Sequence, residues 1–328
     1  MDIILNSFGS AISCDSNCFV IKKSTGKERL PIDGIKSIQL SKGTQITSDA
    51  VMLAIENEIE VIFSDRSGKP IGRVWSPKYG SISTIRKGQI GFLASKDAVE
   101  WIKDIIVRKI ENQQAMLLMM DSEKQSEVNL RNTAVQRLEK YIGKIKTINA
   151  SNIHEIGAQI RGWEGIASKI YFEALNIFIP EKYRFQQRSQ RPALDIYNAL
   201  LNYGYGILYG KIEGALIKAG IDPYIGVLHK DEYNRPVLVY DIIEIYRIWI
   251  DYIVYNIISQ DIMTDEFYSV RNDGACWLEN LGRRVIIQSV NDYLHDTVEI
   301  KNYERTRQTQ IQLYANNLAQ TFKKYQNL

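Results

Sequence analysis

The sequence predicts an α+β protein of two parts: a small β-sandwich-like domain over residues 1–82 and a larger all-α domain over residues 83–328. Short β-branched runs, separated by Gly, Asn, Asp and Ser clusters, fill the first 80 residues and are typical of strands. From about residue 85 the apolar residues instead recur every three or four positions, which indicates helices. Pro, Gly and Ser cluster over residues 77–83 and mark the boundary.

The N-terminal part is predicted to contain strands at residues 3–5, 18–21, 35–40, 60–63 and 71–75. A helix is predicted over residues 48–56, with Ser48 as its N-cap, and a turn over residues 65–68. No His and no cluster of catalytic residue types occurs here. Because so small a core is marginal alone, we predict that this domain forms a dimer interface rather than a catalytic site.

The helical part opens with amphipathic helices predicted over residues 98–120 and 129–148, and a third begins at Ile153. Glu164 lies on this third helix, at the edge of its apolar stripe. A carboxylate in that position is unfavourable unless a metal ion or a basic partner compensates its charge. The alternative is a surface glutamate whose head reaches solvent. The stripe itself consists of Ile156, Ile160, Trp163, Ala167, Ile170 and Ala174.

Residues 220–244 combine the features of half a metal site. Gly220 can end a helix, and His229 follows in a loop after an Asp-Pro turn. Asp241 and Glu244 then stand three residues apart at the start of an Ile-rich helix, a spacing that places both on one face. Glu164 is the candidate for the missing carboxylate. The alternative is that these acids are only the solvated face of the helix.

Other polar groups are weaker candidates. Arg188 and Arg191 lie in a polar segment and could contact phosphates, although an ordinary exposed loop has the same composition. His154 and His295 have no acidic neighbours at a spacing typical of metal ligands. The segment 301–328 is locally basic and could bind a partner or DNA, or could be a plain terminal helix.

Composition limits the class of protein. The 41 basic and 38 acidic residues leave a formal charge of +3, so any nucleic-acid surface must be local. Three cysteines without C-x-x-C spacing predict neither a disulfide framework nor a zinc site. The N-terminus has no basic segment before its apolar run, and the longest apolar stretch is interrupted by charges. We therefore expect a cytoplasmic protein that does not enter a membrane.

Three separated segments resemble one family, the CRISPR-associated integrase, an endonuclease of spacer acquisition. They are RGWEGIASKIYF at residues 161–172, the stretch 185–205 beginning FQQRSQRP, and residues 220–244 beginning GIDP. Their order and spacing in one chain are specific, whereas any one of them alone would be weak. The family's architecture, a small β domain joined to a larger helical domain, covers the full length of this chain.

The resemblance implies that Glu164, His229 and Glu244 bind a catalytic Mg²⁺ or Mn²⁺ ion, with Asp241 as a nearby supporting acid. It implies an integrase that inserts spacers by attack of a DNA 3′-hydroxyl on a phosphodiester at the end of a CRISPR repeat. Its expected partners are double-stranded and branched DNA, a second copy of the chain, and a small ferredoxin-like CRISPR-associated protein. Two alternatives stay open: a non-catalytic DNA-binding scaffold, and a metal-dependent nucleotide phosphohydrolase.

Overall fold

The structure is a computed structural model that describes residues 2–23, 26–35, 37–64, 70–74, 82–229, 233, 235–300 and 303–326. The chain folds as two compact units, Met1–Gly80 and Ser81–Leu328. The sequence analysis placed the boundary between residues 82 and 83. The predicted turn at residues 65–68, Trp75 and most of the predicted boundary segment lie outside the described residues.

The N-terminal unit contains eight strands and one helix in its described part. One sheet has the order β1-β5-β7-β8, and the other has the order β4-β3-β2-β6. The elements are β1 Asp2–Leu5, β2 Ala11–Asp15, β3 Cys18–Lys23, β4 Gly26–Pro31, β5 Ser37–Ser41, β6 Gln45–Ile46, α1 Ser48–Glu56, β7 Glu60–Ser64 and β8 Pro70–Arg73. The strand-rich N-terminal part is therefore confirmed, whereas the sandwich-like packing of its sheets stays a prediction.

Alternation explains the core of this unit. Ile3, Leu5, Ile38 and Leu40 are all buried, because every second side chain of β1 and β5 points to the same face. The prediction missed β2, β4 and β6, which are short or polar, and β4 is exposed along most of its length. It also placed the N-cap of α1 one residue late. The Thr47 hydroxyl accepts from the Ala50 backbone N–H at 3.3 Å.

Long helices dominate the second unit, as the sequence predicts. They are α2 Ile82–Leu93, α3 Lys96–Leu118, α4 Gln125–Thr147, α5 Ile153–Ile177, α6 Ile196–Lys218, α7 Val237–Ile243, α8 Arg247–Ser259, α9 Asn280–His295 and α10 Arg307–Lys323. Helix α3 packs against α4, α5 and α8, and α6 packs against α7, α8, α9 and α10. One continuous apolar core joins these helices. No helix in the described ranges is long and apolar enough to span a membrane.

The helical unit is not all α, which corrects the prediction. Strands β9 Tyr268–Val270 and β10 Cys276–Leu278 form one antiparallel hairpin, and β11 Thr297–Ile300 and β12 Tyr303–Thr306 form another. The signal for the first hairpin is an Asp-Gly turn at Asp273 and Gly274 between aromatic and β-branched residues. The helical periodicity of the residues on either side of this hairpin is why the prediction missed it.

Helix α10 belongs to the core. Its face formed by Ile311, Leu318 and Phe322 is buried, and the helix packs against α2 and α6. A Cβ at Gly88 of α2 would lie 1.9 Å from the carbonyl oxygen of Phe322, so only glycine permits this approach. The described part of the basic C-terminal segment is therefore largely structural.

Candidate metal centre

Glu164 has a basic partner. Its Oε1 accepts a hydrogen bond from the Ser168 hydroxyl at 2.8 Å, one turn later on α5, and contacts Lys109 Nζ. The side chain retains 24% exposure, so it lies between the core and solvent, as its position beside the apolar stripe predicts. Lys109 is therefore a basic partner of the kind that the position of Glu164 beside the apolar stripe requires.

Lys109 is the residue that the sequence analysis missed. It lies on α3 among the buried Ile105, Ile106 and Ile110, and its own side chain is 8% exposed. Burial works against the ammonium charge, but Glu244 and Glu164 outweigh burial and raise the pKa of Lys109. The available signal was a lysine at an apolar-stripe position of an amphipathic helix, where a buried cation requires an acidic partner.

Glu244 is buried at the C-terminal end of α7. Its Oε1 accepts from Arg247 Nε at 2.9 Å, and its Oε2 lies 2.5 Å from Lys109 Nζ. The second contact is a close ion pair with the buried ammonium. Burial alone would raise the pKa of Glu244, but Arg247 and Lys109 outweigh it and lower the pKa to about 2. Glu244 is thus an anion held between two cations.

Arg247 is fixed more firmly than Lys109. Besides its bond to Glu244, it donates to the Tyr209 hydroxyl at 2.9 Å. Its guanidinium also lies 4.7 Å from the centre of the Tyr205 ring, a cation–π distance. Three partners on two helices therefore hold this cation in place.

Asp241 orients His229. The buried carboxylate accepts the backbone N–H groups of Val227 at 2.6 Å, Leu228 at 3.1 Å and His229 at 3.1 Å, and contacts His229 Nδ1 at 2.6 Å. Burial opposes charge on the imidazole, but Asp241 and then Glu244 outweigh it and raise the pKa of His229. A carboxylate on Nδ1 directs the other ring nitrogen, Nε2, away from Asp241, as in many metal-binding histidines.

Two further contacts shape the loop that carries His229. A Cβ at Gly226 would lie 2.7 Å from the His229 carbonyl oxygen, so the loop closes only around glycine. Gln89 of α2, 1% exposed, donates to the carbonyls of Asp222 at 2.8 Å and Ile225 at 3.1 Å and accepts from the Asp222 N–H. Gln89 therefore anchors the residues that precede His229, at Asp222 and at Ile225.

Asp241 and Glu244 lie at the C-terminal end of α7, not at the start of a helix as predicted, and Glu244 keeps helical φ and ψ as the capping residue. Helix α7 ends at Ile243, and α8 begins at Arg247. Asp241 contacts the His229 loop, whereas Glu244 contacts Lys109 and Arg247. Gly220 does follow the end of α6 with a left-handed φ of +80°, as predicted.

The carboxylates of Glu164 and Glu244 therefore meet at one cation, and His229 is held separately by Asp241. Within the part of the chain that the structure describes, no three His, Cys, Asp or Glu side chains lie close enough together to hold a metal ion. The described side chains therefore bring Glu164 and Glu244 together at Lys109 and hold His229 through Asp241, without gathering the three predicted ligands at one point.

The remaining candidates lie elsewhere. Arg188 is half-buried and bonds Asn198 and Asn202, the latter at 3.0 Å, so its guanidinium holds the 184–195 loop on α6. Arg191 is exposed. His154 is also exposed, and Nδ1 of His295 contacts a backbone carbonyl of its own helix at 2.7 Å.

Comparison with known proteins gives the lineage. The family described as CRISPR associated protein Cas1 matches residues 3–292. A curated relative from Archaeoglobus fulgidus, named CRISPR-associated endonuclease Cas1 1, is 30% identical over 327 residues, covering 96% of this chain and 94% of the relative.

Solved structures agree on the fold. A casposase bound to integration product is 21% identical, with a TM-score of 0.78, and the match covers 98% of this chain and 90% of that one. A chain of a Cas6-RT-Cas1–Cas2 complex is 22% identical, also with a TM-score of 0.78; the match covers 99% of this chain but 35% of that longer one. The family match and the full-length relative together confirm the resemblance seen in the sequence, and the chain belongs to the Cas1 family.

Proposed function

We propose that this protein is a metal-dependent DNA integrase and endonuclease that inserts new spacers into a CRISPR array. In the strand-transfer step, the 3′ oxygen of an incoming DNA strand forms a bond to a phosphorus at the end of a repeat. The bond from that phosphorus to the 3′ oxygen of the flanking strand breaks. One proton leaves the attacking hydroxyl and one joins the departing oxygen, so the number of phosphodiester bonds is unchanged.

One observation carries the proposal: two carboxylates from separate segments of the chain converge on a single cation. They belong to Glu164 and Glu244, and the cation is Lys109. His229, held at Nδ1 by Asp241, adds an imidazole whose Nε2 is not used by this contact. Such a set of oxygen and nitrogen donors suits Mg²⁺ or Mn²⁺.

Glu164, Glu244 and His229 would hold the ion. When bound, a divalent cation stabilises the charge that builds up on a phosphodiester during transfer and favours ionisation of the attacking hydroxyl. The protein's own contribution is positional. Asp241 fixes the imidazole and the loop backbone, and Arg247 keeps the Glu244 carboxylate ionised and oriented. Phosphoryl transfer depends mainly on such alignment and charge stabilisation.

The proposed partners follow from family membership and from the two-unit fold. The solved relatives named above include a casposase bound to integration product and a complex with Cas2. We propose double-stranded and branched DNA as substrates, a homodimer formed through the N-terminal unit, and a small ferredoxin-like CRISPR-associated protein as partner. Arg191 is the better-placed of the two predicted phosphate contacts, because Arg188 is engaged with Asn198 and Asn202.

A strand-transfer assay tests the proposal. The full-length protein, its small CRISPR-associated partner, a supercoiled plasmid carrying a repeat and an oligonucleotide with a free 3′-hydroxyl should give joined product with Mg²⁺ or Mn²⁺ and none with EDTA. A 3′-deoxy oligonucleotide should give none. Glu164→Gln, His229→Ala and Glu244→Gln should each reduce joining on the order of 100-fold. Glu173→Gln is the matched control, because Glu173 is an exposed acid of α5, the helix that carries Glu164, and pairs with Lys169.

A second candidate has an observation of its own. Because Lys109 and Arg247 already pair with the two glutamates, the acids could be purely structural, in a non-catalytic DNA-binding scaffold. That scaffold would bind the plasmid without joining the oligonucleotide under any metal condition. A nucleotide phosphohydrolase, the other alternative from the sequence, would instead hydrolyse free nucleotides and show no need for a DNA 3′-hydroxyl.

A further inference from the structure

Lys109 occupies the place between the two carboxylates that a divalent ion would need. Its Nζ contacts Glu164 Oε1 and lies 2.5 Å from Glu244 Oε2. Both oxygens belong to residues proposed as metal ligands. A divalent ion held by both oxygens would compete with the ammonium for them, because both are cations that need the same two anions.

The charges lead to the same conclusion. The anions Glu164 and Glu244 face the cations Lys109 and Arg247, so the pair of acids is already neutralised. A divalent ion added to this group would bring two further positive charges into a largely buried place. This added charge is unfavourable unless one resident cation leaves.

Of the two resident cations, Lys109 is the one that can leave. Arg247 makes a hydrogen bond to Glu244, another to Tyr209 and a ring contact with Tyr205. The polar contacts that the described residues give Lys109 are with the two carboxylates, and one of these, that of Glu164, is partly exposed. A lysine head on a flexible four-carbon stem can also move without moving its helix.

We propose that Lys109 and the divalent ion are alternative occupants of the Glu164–Glu244 pair. In the metal-free protein the ammonium holds the two acids together. When the ion binds, the ammonium keeps its proton and moves out of the pair. This inference rests on the proposed function, because it takes the two acids as metal ligands. It makes Lys109 a positioning residue that preserves the site without metal and weakens metal affinity by competition.

The test compares two buried lysines of the same helix. Lys103 is equally buried on α3, but its partner is Glu100, which is 52% exposed and is not one of the proposed ligands. Binding of Mn²⁺ to the full-length protein is measured by the loss of the electron paramagnetic resonance signal of free Mn²⁺. Lys109→Met should lower the Kd at least about tenfold, which is about 1.4 kcal/mol, and Lys103→Met should leave it unchanged.

An unchanged or higher Kd in folded Lys109→Met would overturn the inference while leaving the proposed metal site in place. Absence of Mn²⁺ binding in the wild type and in both variants would overturn the metal site itself and this inference with it. A gain of affinity in Lys103→Met equal to that in Lys109→Met would show a general charge effect and also overturn the competition.

A measurement on the wild type covers the case in which Lys109→Met fails to fold. Brief acetylation with and without Mn²⁺, read by mass spectrometry, reports how accessible each lysine amine is. We expect Lys109 to react several-fold faster with Mn²⁺ than with EDTA, and Lys103 to react equally in both. Equal or lower reactivity of Lys109 in Mn²⁺ would refute displacement without the use of any variant.

Discussion

Replacing Glu244 by Gln tests the electrostatics of the site independently of catalysis. The side chain is 7% exposed and pairs with Arg247 at 2.9 Å and Lys109 at 2.5 Å. Glutamine keeps the shape and removes the charge, so Arg247 loses its ionised partner and Lys109 keeps only Glu164. Because Glu244 is buried and the cations remain, the change should destabilise the metal-free protein strongly.

The magnitude follows from the pKa. The folded-state pKa of Glu244 is about 2 against an ordinary value of 4.5. Since the folded pKa is the lower one, ionisation stabilises the fold above pH 4.5, and this contribution is lost as the pH falls from 4.5 towards 2. It amounts to about 3 kcal/mol at pH 7 and to about 2 kcal/mol at pH 3.5. The difference in the free energy of unfolding between wild type and Glu244→Gln should therefore be smaller at pH 3.5 than at pH 7.

Urea unfolding in EDTA, followed by tryptophan fluorescence, measures this difference in the free energy of unfolding. Four of the five tryptophans, Trp101, Trp163, Trp249 and Trp277, lie in the helical unit, so the signal reports mainly on that unit. Glu173→Gln is the control and should change stability by less than about 1 kcal/mol, because both members of its ion pair with Lys169 are exposed. A difference in the free energy of unfolding between wild type and Glu244→Gln below about 1 kcal/mol at pH 7 would refute the reasoning. A difference that is as large at pH 3.5 as at pH 7 would refute it too.

Three further outcomes are expected. Asp241→Asn should lower the free energy of unfolding in urea by about 2 kcal/mol or more, and by more than His229→Ala does, because Asp241 also accepts three backbone N–H groups. A smaller loss for Asp241→Asn than for His229→Ala would contradict this. Gln89→Leu should speed hydrogen exchange of residues 222–229 in mass spectrometry while α5 keeps its protection, and unchanged exchange would show that Gln89 does not hold the loop. Phe322→Ala should cost about 3–5 kcal/mol because the ring is fully buried, and a near-neutral melting curve would instead support a peripheral, partner-binding C-terminal segment.

The sequence by itself determined the division of the chain and the identity of its acids. The change from alternating strands to a period near 3.6 separates the two parts, because burial of one face demands that spacing. The position of Glu164 at the edge of its apolar stripe showed that its charge needs a compensating partner. The run from Gly220 to Glu244 marked His229 and Asp241 as members of one site. Each of these conclusions depends on residues close in the chain.

Tertiary structure alone decided what compensates the acids. Lys109 precedes Glu164 by 55 positions and Glu244 by 135, and only the packing of α3 against α5 and α8 brings its ammonium between them. Asp241 and Glu244 stand only three residues apart but have different partners: Asp241 contacts the His229 loop, and Glu244 contacts Arg247 and Lys109. Local periodicity fixes which face a side chain occupies, but the partner on that face comes from another helix, and its identity depends on how the helices pack.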